Sequence, residues 1–201
     1  MGCTITVKPP STKYYSITGN TLEEVQKSIE KKGPKDPNDG KRVTAVTATD
    51  IIVADNWEPE VRKVAYGIGS AEVTVGVKNM KMTVEGTILM PKLGTNKLSP
   101  AAKKEWERFV KKLLVHEKEH MDVAQKVAEE MKKVIMAMTG VGTGGNDSKA
   151  LTAAKEDFLK TYASTYSPKQ ISALISDAHK KFDKKTDHGA KHGARLDTSI
   201  K

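Results

Sequence analysis

The residues best suited to chemistry are His116, Glu117 and His120, within the run WERFVKKLLVHEKEHMDVAQKV. Two histidines one helical turn apart can aim two imidazole nitrogens at one centre, about 2.0–2.1 Å from each for zinc. A glutamate directly after the first then reaches water at that centre and can act as a general base. The metal would acidify that water and polarise a carbonyl. The chemistry is hydrolysis, and the implied cofactor is Zn2+.

The register of the surrounding residues supports this. Trp106, Phe109, Leu113, His116, His120, Val123, Val127 and Met131 recur at spacings of three and four, which is one stripe of a helix. Both histidines lie on that core-facing stripe, while Lys111, Lys112, Lys118 and Glu119 fall off it. A merely solvated charge run would put the histidines on the other face. Two structural core histidines would each need a hydrogen-bond partner.

A catalytic zinc takes three protein ligands and keeps one position open. The extended form of the motif fails here, because Val123 stands at its glycine position and Lys126 at its third histidine. Glu130 lies about 15 Å along the helix axis from His120 and cannot reach the same ion. The third ligand must come from elsewhere, and all five histidines (116, 120, 179, 188 and 192) are in the second half of the chain. FDKKTDHGAKHGARLD holds His188 and His192, with Gly189 permitting close backbone approach. The other reading of that stretch is a basic, mobile tail. His179, followed by lysines, reads as solvent-exposed.

These residues need a scaffold. Residues 1–98 read as strand-rich and 99–201 as helical, together one domain of α+β class. CTITVK, YYSITG, KRVTAVTATDIIVADNW, AEVTVGV and MKMTVEGTILMP alternate at period two and suggest an antiparallel twisted sheet. Thr21 caps a short helix to about residue 32, which ends at Gly33-Pro34. PKDPNDGK is turn material. Ser99-Pro100 opens a long helix reaching about Met138. TGVGTGGND then reads as a glycine-rich hinge or turn without the ending of a phosphate loop. Further helices are expected within 149–163 and from Ser167-Pro168 to at least Asp183. The expected arrangement packs the sheet against the HExxH helix and the C-terminal helices.

The chain also resembles the family of predicted secreted zinc-dependent proteases, long catalogued as a domain of unknown function. The resemblance rests on YYSITGNTLEE, Gly33-Pro34, Trp57, ILMP, WERFVKKLLVHEKEH, and DKKTDHG with HGARL, so it spans most of the chain. It implies a zincin-like metallopeptidase with His116 and His120 as zinc ligands and Glu117 as base. It favours His188 as the third ligand and suggests Asp183 and Thr186 as partners that orient a ligand. Members of that family are usually exported, yet MGCTITVKPP enters a strand-like pattern with no apolar signal region.

Composition narrows the rest. Lysine and arginine exceed acids by nine, but the excess is scattered: 14 against 11 in residues 1–100 and 20 against 14 in 101–201. That pattern favours solubility and weak attraction to anions over specific nucleic-acid reading. No apolar run is long enough to span a bilayer. One cysteine excludes an internal disulfide. The expected activity is therefore zinc-dependent hydrolysis of a protein or peptide substrate. Tyr162, Tyr166 and His192 are candidate donors to the oxyanion. The rival readings are a non-catalytic zinc or partner-binding module, and a basic protein that binds an anionic partner.

Overall fold

The computed structural model describes residues 2–37, 40–54 and 57–201. In chain order the elements are β1 (Cys3–Val7), β2 (Ser11–Ile17), α1 (Leu22–Lys32), β3 (Val46–Val53), β4 (Glu58–Gly67), β5 (Ser70–Leu93), α2 (Pro100–Ala137), β6 (Gly140–Gly144), α3 (Asp147–Thr165) and α4 (Pro168–Thr186). A 3-10 turn follows at Ala190–His192. The class is α+β, with a six-stranded sheet and four helices among the described residues. None of these helices is long and apolar enough to cross a membrane. The expected turn PKDPNDGK and run KRVTAVTATDIIVADNW include residues 38–39 and 55–56, which lie outside the described residues.

The sheet departs from the antiparallel expectation. AEVTVGV and MKMTVEGTILMP are parts of one 24-residue strand, β5, with which every other strand pairs. β4 and β6 pair with it antiparallel, whereas β1 and β2 pair with it parallel. Alternation in a sequence reports which face is buried, not the direction of the neighbouring strand. Pro9 and Pro10 have no N–H to give to a ladder, and β1 ends before them.

The chain forms two compact units, each assembled from three separate stretches, so neither coincides with residues 1–98 or 99–201. One unit comprises Met1–Val7, Ile51–Val84 and Gln125–Ile175. In it, the expected hinge TGVGTGGND is instead the strand β6, held antiparallel to Ala71–Val75. Its alternate glycines face α3 at close quarters. A Cβ on Gly142 would lie 2.1 Å from the backbone nitrogen of Ala154, and one on Gly140 would lie 2.2 Å from the Ala154 carbonyl oxygen. Glycine is therefore a packing requirement here, which its reputation as a turn former conceals. Phe158, fully buried on the same helix, packs against Trp57 with ring centroids 4.8 Å apart.

The other unit comprises Lys8–Asp50, Glu85–Ala124 and Ser176–Lys201. Its core joins Ile17, Leu22, Val25 and Ile29 to Ile88 and Met90, and to Trp106, Phe109 and Leu113 on α2. Thr21 caps α1 by accepting the Glu24 N–H, and Ser99 caps α2 by accepting the Ala102 N–H. The C-terminal segment is tied to α2 by Arg108. Its guanidinium grips both carboxylate oxygens of Glu105, at 2.6 and 2.7 Å, and donates to the carbonyls of Gly193 and Arg195. Glu105 also accepts the Asp197 N–H. These contacts make residues 190–197 an ordered strap and not a free basic tail.

The tight fit of β6 on α3 has a measurable consequence. Gly142→Ala should cost about 1–3 kcal/mol through overpacking. Gly145→Ala, where a Cβ meets nothing within 4 Å, should leave the denaturant midpoint unchanged.

Candidate metal centre

The site lies within the second unit and is built mainly on α2. The buried stripe of α2 runs through Trp106, Phe109, Leu113, His116 and His120, as its spacing predicts. Beyond His120 it follows Ala124, Ala128, Met131 and Ile135, with Val123 and Val127 only partly covered. His116, Glu117 and His120 are 3, 4 and 6% exposed. Three groups of this polarity stay buried only if each finds a partner.

α4 provides the partner for the histidines. Asp183 Oδ1 lies 3.3 Å from His116 Nε2 and 3.2 Å from His120 Nε2. Burial alone would raise the Asp183 pKa. The contacts with the two imidazoles outweigh it and hold the carboxyl well below its usual range. Phe182, one residue earlier, stacks on His116 with centroids 5.2 Å apart and meets His120 edge-on at 4.9 Å. The carboxylate is thus ionised, walled by an aromatic ring and flanked by two imidazoles.

Glu117 points to β3. Thr47 Oγ1 donates to Glu117 Oε2 at 2.7 Å and lies 3.0 Å from the Glu117 backbone carbonyl. Burial raises the Glu117 pKa, and the Thr47 hydrogen bond and the two histidines only partly offset the rise. Asp183 and Glu117 are therefore driven in opposite directions. The imidazoles favour the charged form of the first, and burial disfavours it in the second.

His179, expected in solvent, is 8% exposed and belongs to the site. It sits one helical turn before Asp183 on α4, so both face α2. Its Nδ1 is 2.8 Å from His120 Nδ1, and its Nε2 is 2.7 Å from Thr49 Oγ1 on β3. Burial, then the neighbouring His120, lowers its pKa to about 4, with Asp183 opposing. A neutral His179 can accept from His120 Nδ1–H and pass its own Nε2–H to Thr49. That tautomer is the one a metal ligand requires, the cation then taking the place of the Nε2 proton that faces Asp183. The i, i+4 spacing of His179 and Asp183 was the signal that could have found it.

His188 is not brought to this cluster. Asp187 and His188 leave α4 with φ of 54° and 48°, the His188 N–H bonds the Asp183 carbonyl, and the imidazole is exposed. The neighbouring Gly189 is the residue of that His-Gly pair that meets the site. At φ 82° it packs on the His116 ring, and a Cβ there would lie 2.9 Å from His116 Cγ. Thr186, 4% exposed, donates to the Phe182 carbonyl at 3.0 Å and finishes α4 without reaching the imidazoles. His192 lies 2.8 Å from Glu119 through its Nδ1. Tyr166 is buried at the end of α3 in the first unit, with its hydroxyl pKa raised by burial. Among the described residues, two groups have donor atoms close enough for one ion: His116 with His120 and Asp183, and His116 with Glu119 and His192.

A buried neutral His179 makes stability pH-dependent. Unfolded, it protonates near 6.5; folded, only near 4. The unfolded chain binds more protons between these values, so stability is complete above about 6.5 and falls as the pH drops towards 4. In metal-free protein the fall from this residue should reach at most about 3 kcal/mol. His179→Gln should flatten that slope in pH-dependent urea melts.

Comparison with known proteins came to one positive result. Neither a curated protein nor a solved structure matches the chain. A family described as bacterial proteins of unknown function, DUF922, matches residues 12–189, which takes in both α2 and the Asp183 end of α4. The chain belongs to the DUF922 family.

Proposed function

We propose that this chain is a zinc-dependent metallopeptidase in which His116, His120 and Asp183 hold the metal and Glu117 is the general base. The observation that carries this reading is the convergence of two Nε2 atoms on one carboxylate oxygen at 3.3 and 3.2 Å. Charge-assisted hydrogen bonds run about 2.7–2.9 Å. Donors around a tetrahedral ion with bonds of about 2.0 Å stand about 3.3 Å apart. The spacing thus suits ligands sharing an ion better than partners sharing a proton. Two neutral imidazoles and one carboxylate are a donor set that catalytic zinc accepts with a position left open. In this reading Asp183, and not His188, completes the set.

Zinc bound there would supply Lewis acidity, making water a better nucleophile and polarising the substrate carbonyl. The protein's own residues supply the rest. Glu117 takes the proton of the attacking water and returns it to the leaving amine nitrogen. Its raised pKa brings it closer to working pH, as proton transfer both ways requires. Thr47 fixes the carboxylate's orientation through Oε2. His179 and Thr49 hold His120 in the ligand tautomer. A zincin-type scaffold, with β3 beside the HExxH helix and the peptide added along a strand edge, fits this division of labour.

Two variants test the reading. Glu117→Gln should keep stoichiometric zinc and lower peptide hydrolysis by at least about 100-fold. Asp183→Asn should weaken zinc binding by more than about 100-fold, beyond what an outer partner of a ligand costs. Zinc content by mass spectrometry and cleavage of a mixed peptide library are the readouts. Full zinc binding without any cleavage would make the chain a non-catalytic metal module. Undiminished hydrolysis in Glu117→Gln would remove the general base from the mechanism.

A further inference from the structure

We propose that Glu119 and His192 form a positioning pair for His116, an inference that rests on the zinc-site reading above. His116 is 3% exposed, and its Nε2 faces Asp183. Its other nitrogen, Nδ1, is buried and has no hydrogen-bond partner among the described residues. A neutral imidazole that gives Nε2 to a metal carries its proton on Nδ1, and a buried N–H left unpaired is destabilising. An acceptor is required there.

Glu119 is placed to be that acceptor. It follows His116 by three residues, so the two side chains are neighbours on the helix surface, with Glu119 at the edge of the buried stripe. Donor atoms of His116, Glu119 and His192 all lie within 4.8 Å of one another. Glu119 Oε2 and His192 Nδ1 are buried atoms on side chains about one-third exposed. They stand 2.8 Å apart, yet do not meet as a hydrogen bond, so three facing polar atoms are left unsatisfied together. With its carboxylate turned between the two rings, Glu119 would accept from His116 on one side and from His192 on the other. A carboxylate behind a ligand histidine fixes its tautomer and raises its basicity.

The strap holds the outer member of the pair in place. His192 ends the 3-10 turn between Gly189 and Gly193, both left-handed at φ 82° and 79°. Gly189 packs on the His116 ring, and Arg108 binds the Gly193 carbonyl at 2.8 Å. The same clamp that orders residues 190–197 thus sets His192 over Glu119. A second cation held by His116, Glu119 and His192 is the competing use of these atoms. The 2.8 Å separation argues against it, since it is shorter than the roughly 3.3 Å between donors of a shared tetrahedral ion.

The test is zinc affinity by chelator competition on the full chain, for wild type, Glu119→Gln, Glu119→Asp and His192→Gln. Metal-free melting and the visible spectrum of the cobalt-loaded proteins are recorded alongside. Glu119→Gln should weaken binding about 10–100-fold and shift the cobalt bands, with metal-free melting unchanged. Glu119→Asp should recover part of the affinity, and His192→Gln should fall between. Wild-type affinity and spectrum in both Gln variants would overturn the pair and leave the zinc site standing. A second metal equivalent in wild type, lost in Glu119→Gln, would overturn it in favour of the second cation site. No zinc in wild type would sink the zinc-site reading, and the pair with it.

Discussion

One buried carboxylate organises the site. Asp183 lies between two imidazoles in a pocket that would otherwise disfavour its charge. An ionised group in such surroundings must be compensated locally, because solvent is not there to do it. His116 and His120 provide that compensation and are fixed by it. Each then needs a partner for its second nitrogen. His120 finds His179 and, through it, Thr49. His116 faces Glu119 and His192. Phe182 closes the cluster, and Gly189 approaches so closely that no side chain fits between backbone and ring. The constraint spreads outward from one oxygen atom.

Electrostatics divides the labour between two carboxylates. Asp183, contacted by both histidines, stays charged despite its burial. Glu117, buried with a single hydroxyl donor, is pushed upward. Environments that drive the pKa values of neighbouring acids apart separate a permanent charge from a proton carrier. This separation favours metal ligation by the first and proton transfer by the second in the proposed reaction. Burial pushes both carboxyls upward, so the asymmetry comes from the two imidazoles in direct contact with Asp183.

Much of the site's core was legible in the chain. The stripe through Trp106, Phe109 and Leu113 places His116 and His120 on the buried face because helical period is a local property. The helix caps at Thr21 and Ser99 were readable for the same reason. The glycines of TGVGTGGND misled, since their spacing serves the close approach of α3 to β6 and not a turn. DHG pointed to the right segment, but the neighbours of His188 bear the geometry: Asp183 five residues before and Gly189 one after. His179 was hidden among lysines, although it shares a helix face with Asp183.

The sequence by itself determined the helix that carries HEKEH, the buried face of that helix, and the α+β class. These follow from short-range periodicity and propensity, which a single chain displays in full. Only the tertiary structure decided which distant groups meet those histidines. It turned α4 so that Asp183 and His179 face α2, used three left-handed residues to send His188 outward, and brought His192 back over Glu119. It also set β1 and β2 parallel to β5. Such pairings depend on the path of the chain between elements and on the mutual need of buried polar groups for partners. No window of neighbouring residues contains that information.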